Sequence, residues 1–208
     1  MKKHEFRWTP VLATVLLATA LWFVTFYLRW SVFWIKISIS SATLAGLSLG
    51  LQRDREIGVR FDRKGIVFGL ISGLLLYLIF LIGKAVSAQL FPFAKEQIRV
   101  IYGMGEGTPL WVIAVLLFFV TGPSEELYWR GYLQRQLMFR FGGWQGWFLA
   151  TAVYAGVHFW AFNFMLIGAA GVAGAFWGAM FWRVGNLAPV IISHSLWSAV
   201  IFSVAPLS

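Results

Sequence analysis

An all-α fold, that of a polytopic integral membrane protein with about seven transmembrane helices, is predicted by three features of the chain. These are apolar runs of membrane-spanning length, a low charge content and an uneven sharing of basic residues between successive loops. Of 208 residues, 60% are hydrophobic and 12% charged, with 12 Trp and 20 Phe, far outside the composition of an ordinary soluble domain. The runs fall at 9–28, 32–51, 65–91, 109–133, 144–162, 164–182 and 186–206, each near the ~20 residues a helix needs to cross the hydrocarbon core. No linker, repeat or low-complexity tract interrupts them, so residues 1–208 read as a single helical domain.

The first run follows Lys2, Lys3 and Arg7 and contains Ala18-Thr19-Ala20, the small-x-small form of a signal-peptide cleavage site. It continues unbroken through Leu21-Trp22-Phe23-Val24, which reads as a retained first helix. The second and third runs each carry a single lysine, Lys36 and Lys84, expected to snorkel along its own stem to the interface. The fourth stretch, from Pro109 to about Arg140, exceeds one membrane thickness and carries Pro123, where a kink is expected. The fifth holds Tyr154 and His158. The sixth sets Gly171, Gly174 and Gly178 at helical spacing, which suits close helix packing. The seventh contains Ser193-His194-Ser195.

Net charge is +9, but its distribution points away from nucleic acid. Lys2, Lys3, Arg7, Arg53, Arg55, Arg60, Arg63, Lys64, Arg135, Arg140 and Arg183 fall on one side of the seven runs, and only Arg29, Lys95 and Arg99 on the other. This is the positive-inside pattern of a multi-pass protein of the cell (inner) membrane, with a cytoplasmic N-terminus and an outer C-terminus. The basic stretch 52–65 suits anionic lipid head groups, so the lipid bilayer is one partner. With no cysteine, the chain has neither disulfides nor thiolate chemistry.

Against this apolar background, Gly122-Pro123-Ser124-Glu125-Glu126-Leu127-Tyr128-Trp129-Arg130 stands apart, because ionisable groups inside a membrane are costly and mark function. On a helix Glu126 and Arg130 share one face, while Glu125 points about 100° away from Glu126. The pairing of Glu126 with Arg130 leaves Glu125 freer to hold a water molecule and accept its proton. His158 and His194 supply two imidazoles on two further apolar runs. A glutamate-held water beside one imidazole, with a second donating to an oxyanion, would suffice for peptide hydrolysis. Two other readings stand beside it: a purely structural ion-pair network, and two histidines with one glutamate as an open zinc set, although no H-E-x-x-H helix is present. The serines near these groups lack a G-x-S-x-G elbow, and Ser193 and Ser195 suit hydroxyls bonded back to helix carbonyls.

Glu125-Glu126-x-x-x-Arg130, then Tyr154-x-x-x-His158, then Gly185-Asn186-Leu187-Ala188-Pro189 leading to His194-x-x-x-Ser198, resembles the CAAX-protease and bacteriocin-processing (CPBP, formerly Abi) family of intramembrane endopeptidases. The resemblance covers roughly 110–202, and the catalytic-type core is placed at about 108–206, with its polar site among the fourth, fifth and seventh helices. It implies Glu125 as the water-activating base, Glu126 and Arg130 as its supporting pair, His158 as a second hold on the water and His194 as oxyanion stabiliser. It implies no cofactor, with zinc as the alternative, and a membrane-associated peptide or protein as substrate. Two positions depart from the family pattern: Tyr154 stands where Phe is usual, and Ser198 where Asn or Asp is usual. Ser198 therefore also admits a catalytically weak member acting as a membrane scaffold or immunity-type partner, and a proton relay through Glu125, His158 and His194 is a third reading.

The depths of these groups do not agree on straight helices. His158 would lie ~22 Å from the Gly143 end of its helix, and His194 only ~12 Å from the same face. A distorted fourth helix at Gly122-Pro123, with the fifth beginning inside the membrane, is the expected reconciliation.

Overall fold

The computed structural model describes residues 6–52 and 58–207. Lys2, Lys3, Arg53 and Arg55, which carry part of the orientation argument, lie outside them. The described residues form helices and no strand: α1 (Trp8–Phe26), α2 (Phe33–Leu51), α3 (Arg63–Leu90), α4 (Ala94–Gly103), α5 (Leu110–Phe141), α6 (Gly143–Val157), α7 (Phe164–Val184) and α8 (Leu187–Val204). Six of these, all but α4 and α6, are long and apolar enough to cross a membrane.

The remaining apolar run, 144–162, is shorter as a helix than as a sequence. Its α-helical part stops after 15 residues, and the chain tightens into a 3₁₀ turn over His158–Ala161. Phe162 then takes a left-handed conformation (φ 49°) and Asn163 caps α7 by accepting from the Leu166 amide at 3.0 Å. His158 thus sits where α6 turns back into α7 rather than in the middle of a span. α4 is a short amphipathic helix on which an exposed Arg99 forks onto Glu96 at 2.6 and 3.0 Å. That hydrogen-bonded guanidinium holds the Glu96 carboxyl below its ordinary range. Asn163 donates to the Gln97 carbonyl at 2.8 Å and the Met165 amide to the Gln97 side chain at 3.0 Å, tying α4 to the start of α7.

α5 is the helix that the sequence marks as distorted, and its distortion takes the form of two wide π turns. The first, Leu117–Thr121, precedes Pro123, and the Gly122 amide reaches back to the Leu117 carbonyl. A proline ring clashes with the carbonyl four residues before it and offers no N–H, and the wider turn just before it is one way to accommodate both. The second π turn, Trp129–Gln134, contains Arg130. Each wide turn shifts the register of the residues that follow, and Glu125 and Glu126 lie between the two.

Glycines let the neighbouring helices close in. A Cβ on Gly69 of α3 would stand 2.8 Å from Ile192 Cβ and from the Pro189 carbonyl, so α3 lies directly against α8. A Cβ on Gly174 of α7 would stand 2.8 Å from the Tyr154 ring, and one on Gly178 2.7 Å from the Trp147 ring. The polar residues of the front helices are absorbed structurally. Ser38 meets Thr121 at 3.0 Å and Thr25 meets Ser40 at 3.0 Å. Lys36 is 7% exposed and donates to the Leu28 carbonyl at 2.5 Å, just beyond the C-terminal end of α1.

Gly185 and Asn186 fix the entry to α8. Gly185 ends α7 with φ 66°, a conformation open to glycine at little cost, and the Asn186 side chain accepts from the Ala188 amide at 3.1 Å. The same side chain accepts from the Arg60 amide at 2.9 Å and donates to the Arg60 carbonyl at 2.8 Å, anchoring the stretch before α3 to the start of α8.

Candidate active site

Glu126 is fully buried, and one of its oxygens, Oε1, takes two donors: the Arg130 guanidinium at 2.8 Å and His194 Nδ1 at 2.6 Å. The i,i+4 pairing read from the sequence is therefore present, and the tertiary fold adds His194 to it from α8. Arg130 reaches further, donating to the Gly174 carbonyl at 3.2 Å and lying over the rings of Tyr154 at 4.7 Å and Trp177 at 5.5 Å. A buried guanidinium with a carboxylate, a carbonyl and two ring faces has its donors and its charge well matched. His194 stacks on Trp177, with centroids 3.8 Å apart and planes 14° from parallel. Ser193 accepts from Trp177 Nε1 at 3.1 Å, and Ser195 Oγ has no partner among the described residues. Neither hydroxyl bonds back to its own helix as the sequence suggests, because Trp177 and Gly122 occupy the space around them.

Glu125 faces the other way. Its Oε2 accepts from the Tyr154 hydroxyl at 2.8 Å. Tyr154 also places His158, whose Nδ1 lies 2.7 Å from the Tyr154 backbone oxygen. A carbonyl only accepts, so Nδ1 carries the proton and Nε2 is left as an acceptor. That Nε2 receives the indole N–H of Trp22 on α1 at 3.3 Å. Ser198 is buried one helical turn beyond His194 and has no hydrogen-bond partner among the described residues.

Glu125, Tyr154, His158, His194 and Ser198 all line one cavity of about 410 Å³, and Glu126 lies just behind it. The groups therefore meet although His158 lies 15 residues along α6 from Gly143, and α5 carries its carboxylates between two wide turns. The outer part of the cavity is apolar and runs between the C-terminal part of α3, α4 and the N-terminal part of α7, with Lys84 on its wall.

Zinc does not fit this arrangement. Among the described residues no three His, Asp or Glu side chains are grouped so as to hold a metal ion. The Nδ1 of His194 is committed to Glu126 and the Nδ1 of His158 to the Tyr154 carbonyl.

Sequence reasoning missed Trp22 and Trp177. Trp22 lies in a run that reads as an ordinary apolar span, and nothing in its local pattern points to a histidine 136 residues away. Tyr154 was legible only as a motif residue, and its hydroxyl proves to bond a carboxylate.

Six long apolar helices enclosing a buried charged site make this a multi-pass membrane protein. Residues 107–200 match the family model described as Rce1-like, type II CAAX prenyl endopeptidase Rce1-like, so this part of the chain is similar to the kind of CAAX-type protease that its three motifs resemble. No curated protein and no solved structure matches the chain.

Proposed function

We propose that the protein is an intramembrane endopeptidase that hydrolyses a peptide bond of a membrane-associated peptide or protein with a water molecule activated by Glu125. The observation that carries this reading is the unequal loading of the two adjacent carboxylates within one cavity. Glu126 lies behind the cavity with two charged-group donors, Arg130 and His194, on Oε1 and no partner among the described residues on its buried Oε2, whereas Glu125 has a single donor and lines the cavity.

The steps follow from donor and acceptor chemistry. Tyr154 holds Glu125 Oε2, leaving Oε1 to take a proton from the water as the water oxygen attacks the scissile carbonyl. His158 offers its Nε2 lone pair to the other water hydrogen. The developing oxyanion needs donors, and His194 supplies one at Nε2 when its ring is an imidazolium, since Nδ1–H is already committed to Glu126. Ser198 shares the helix face of His194 and adds a hydroxyl donor. Collapse of the tetrahedral intermediate breaks the C–N bond, and Glu125 returns the proton to the leaving amine. No metal takes part. The N-terminus is cytoplasmic, and the apolar mouth of the cavity admits the substrate from the bilayer.

The test is cleavage by the purified protein in lipid vesicles of a library of membrane-anchored peptides. Glu125→Gln keeps the side-chain shape and loses proton affinity, so it is expected to lower the rate by ~10³-fold or more with insertion and folding unchanged. Turnover by this variant at the unaltered rate would sink the glutamate mechanism. No cleavage by either form, with capture of a partner helix by both, would favour a scaffold.

A further inference from the structure

Resting on the proteolytic reading above, we infer that Trp22, on a helix outside the region matched to the family, is a positioning residue for His158. Its indole N–H keeps that ring in the Nδ1–H tautomer, with the Nε2 lone pair in place to receive the water. Three observations carry this. Trp22 is fully buried and its Nε1 stands 3.3 Å from His158 Nε2. His158 Nδ1 stands 2.7 Å from the Tyr154 carbonyl, so the two bonds select one tautomer from opposite edges of the ring. The ring is also boxed in by aromatic faces: Trp22 edge-on at 6.0 Å, Phe26 at 5.6 Å and Tyr154 at 5.0 Å.

The length of the indole bond is part of the argument. At 3.3 Å it exceeds the usual 2.9–3.0 Å of an N–H donor. It satisfies a buried lone pair in the resting site and yields it to the stronger O–H donor of an incoming water. Without the indole N–H, only the Nδ1–H bond to the Tyr154 carbonyl holds the tautomer, and nothing fixes the Nε2 edge of the ring in the resting site. Trp22 itself is braced by Trp129 of α5, edge to face at 5.6 Å, so its donor is held to the same helix that carries Glu125.

The donor is best removed without removing the ring. Site-specific incorporation of 3-benzothienylalanine at position 22 replaces N–H by sulfur at nearly constant shape, and Trp22→Phe provides a second variant. The wild-type protein in vesicles is expected to show His158 in a single tautomer by ¹⁵N NMR, protonated at Nδ1. The sulfur analogue is expected to show a mixture of His158 forms and about a tenfold lower kcat on membrane-anchored peptides, with KM within twofold and an unchanged melting temperature. Trp22→Phe should shift kcat and the ¹⁵N pattern in the same direction, with an added loss of stability. An unchanged ¹⁵N pattern in the sulfur analogue overturns the inference, as does an altered pattern with unchanged kcat. A wild-type protein that cleaves nothing overturns the proteolytic reading instead, and the ¹⁵N comparison then decides alone whether Trp22 sets the tautomer.

Discussion

Glu125 and Glu126 are adjacent in the chain, yet they sit in two differently built sides of the same site. The Glu126 side is a closed knot of charge, in which Arg130 and His194 share one oxygen and Trp177 covers the imidazole. The Glu125 side has no cationic partner in hydrogen-bond contact and is open to the cavity, a chain of single hydrogen bonds running from Glu125 to Tyr154, and from the Tyr154 carbonyl through His158 to Trp22. The difference shows how a helix separates two like side chains. An offset of about 100° directs one carboxylate to a counter-charge and the other to a space where water can enter. The charged side has every reason to stay fixed, and the open side has an acceptor to spare.

The largest effect expected from disturbing this contrast is on the closed side. Glu126→Gln leaves the buried Arg130 without its counter-charge and offers His194 only a neutral amide oxygen, so a loss on the order of 3–5 kcal/mol is expected in thermal or denaturant unfolding in detergent, together with loss of cleavage. Stability equal to the unsubstituted protein would show that the knot is not what holds α5 to α8. On the open side, Tyr154→Phe deletes one donor to a charged group and leaves Glu125 otherwise placed. The expected result is a fall in kcat of roughly tenfold or less with stability little changed, in line with about 1.5 kcal/mol for such a bond. A collapse in stability as large as that of Glu126→Gln would erase the distinction between the two sides.

Ser198 lies at the junction of the two. Ser198→Ala should slow cleavage by ~5-fold, less than loss of a lone oxyanion donor because His194 remains, and Ser198→Asn should preserve or raise the rate by restoring a longer donor. Identical rates for all three side chains would remove Ser198 from the mechanism. The smallest expected effect is that of chelation. Activity should survive exhaustive chelator treatment, with no stoichiometric zinc in the purified protein. Activity lost to chelator and restored by one equivalent of bound zinc would reassign Glu125, His158 and His194 as ligands.

Local pattern alone determined the helical membrane class, the position of most helices and the Glu126–Arg130 pair, because hydrophobic run length and i,i+4 spacing are properties of one helix at a time. The motifs likewise marked Glu125, His158, His194 and Ser198 as members of one site. Tertiary packing decided the rest. That α6 ends at His158, that α5 winds through two π turns around its carboxylates, and that His194 joins Glu126 all depend on how α5 to α8 fit against one another. Lys36 turns inward because α1 ends beside it, and Trp22 serves His158 because α1 packs against the end of α6. Contacts of this kind join residues whose sequence neighbourhoods are ordinary, and an indole in an apolar run acquires chemical meaning only when the fold places an imidazole lone pair within reach of its N–H.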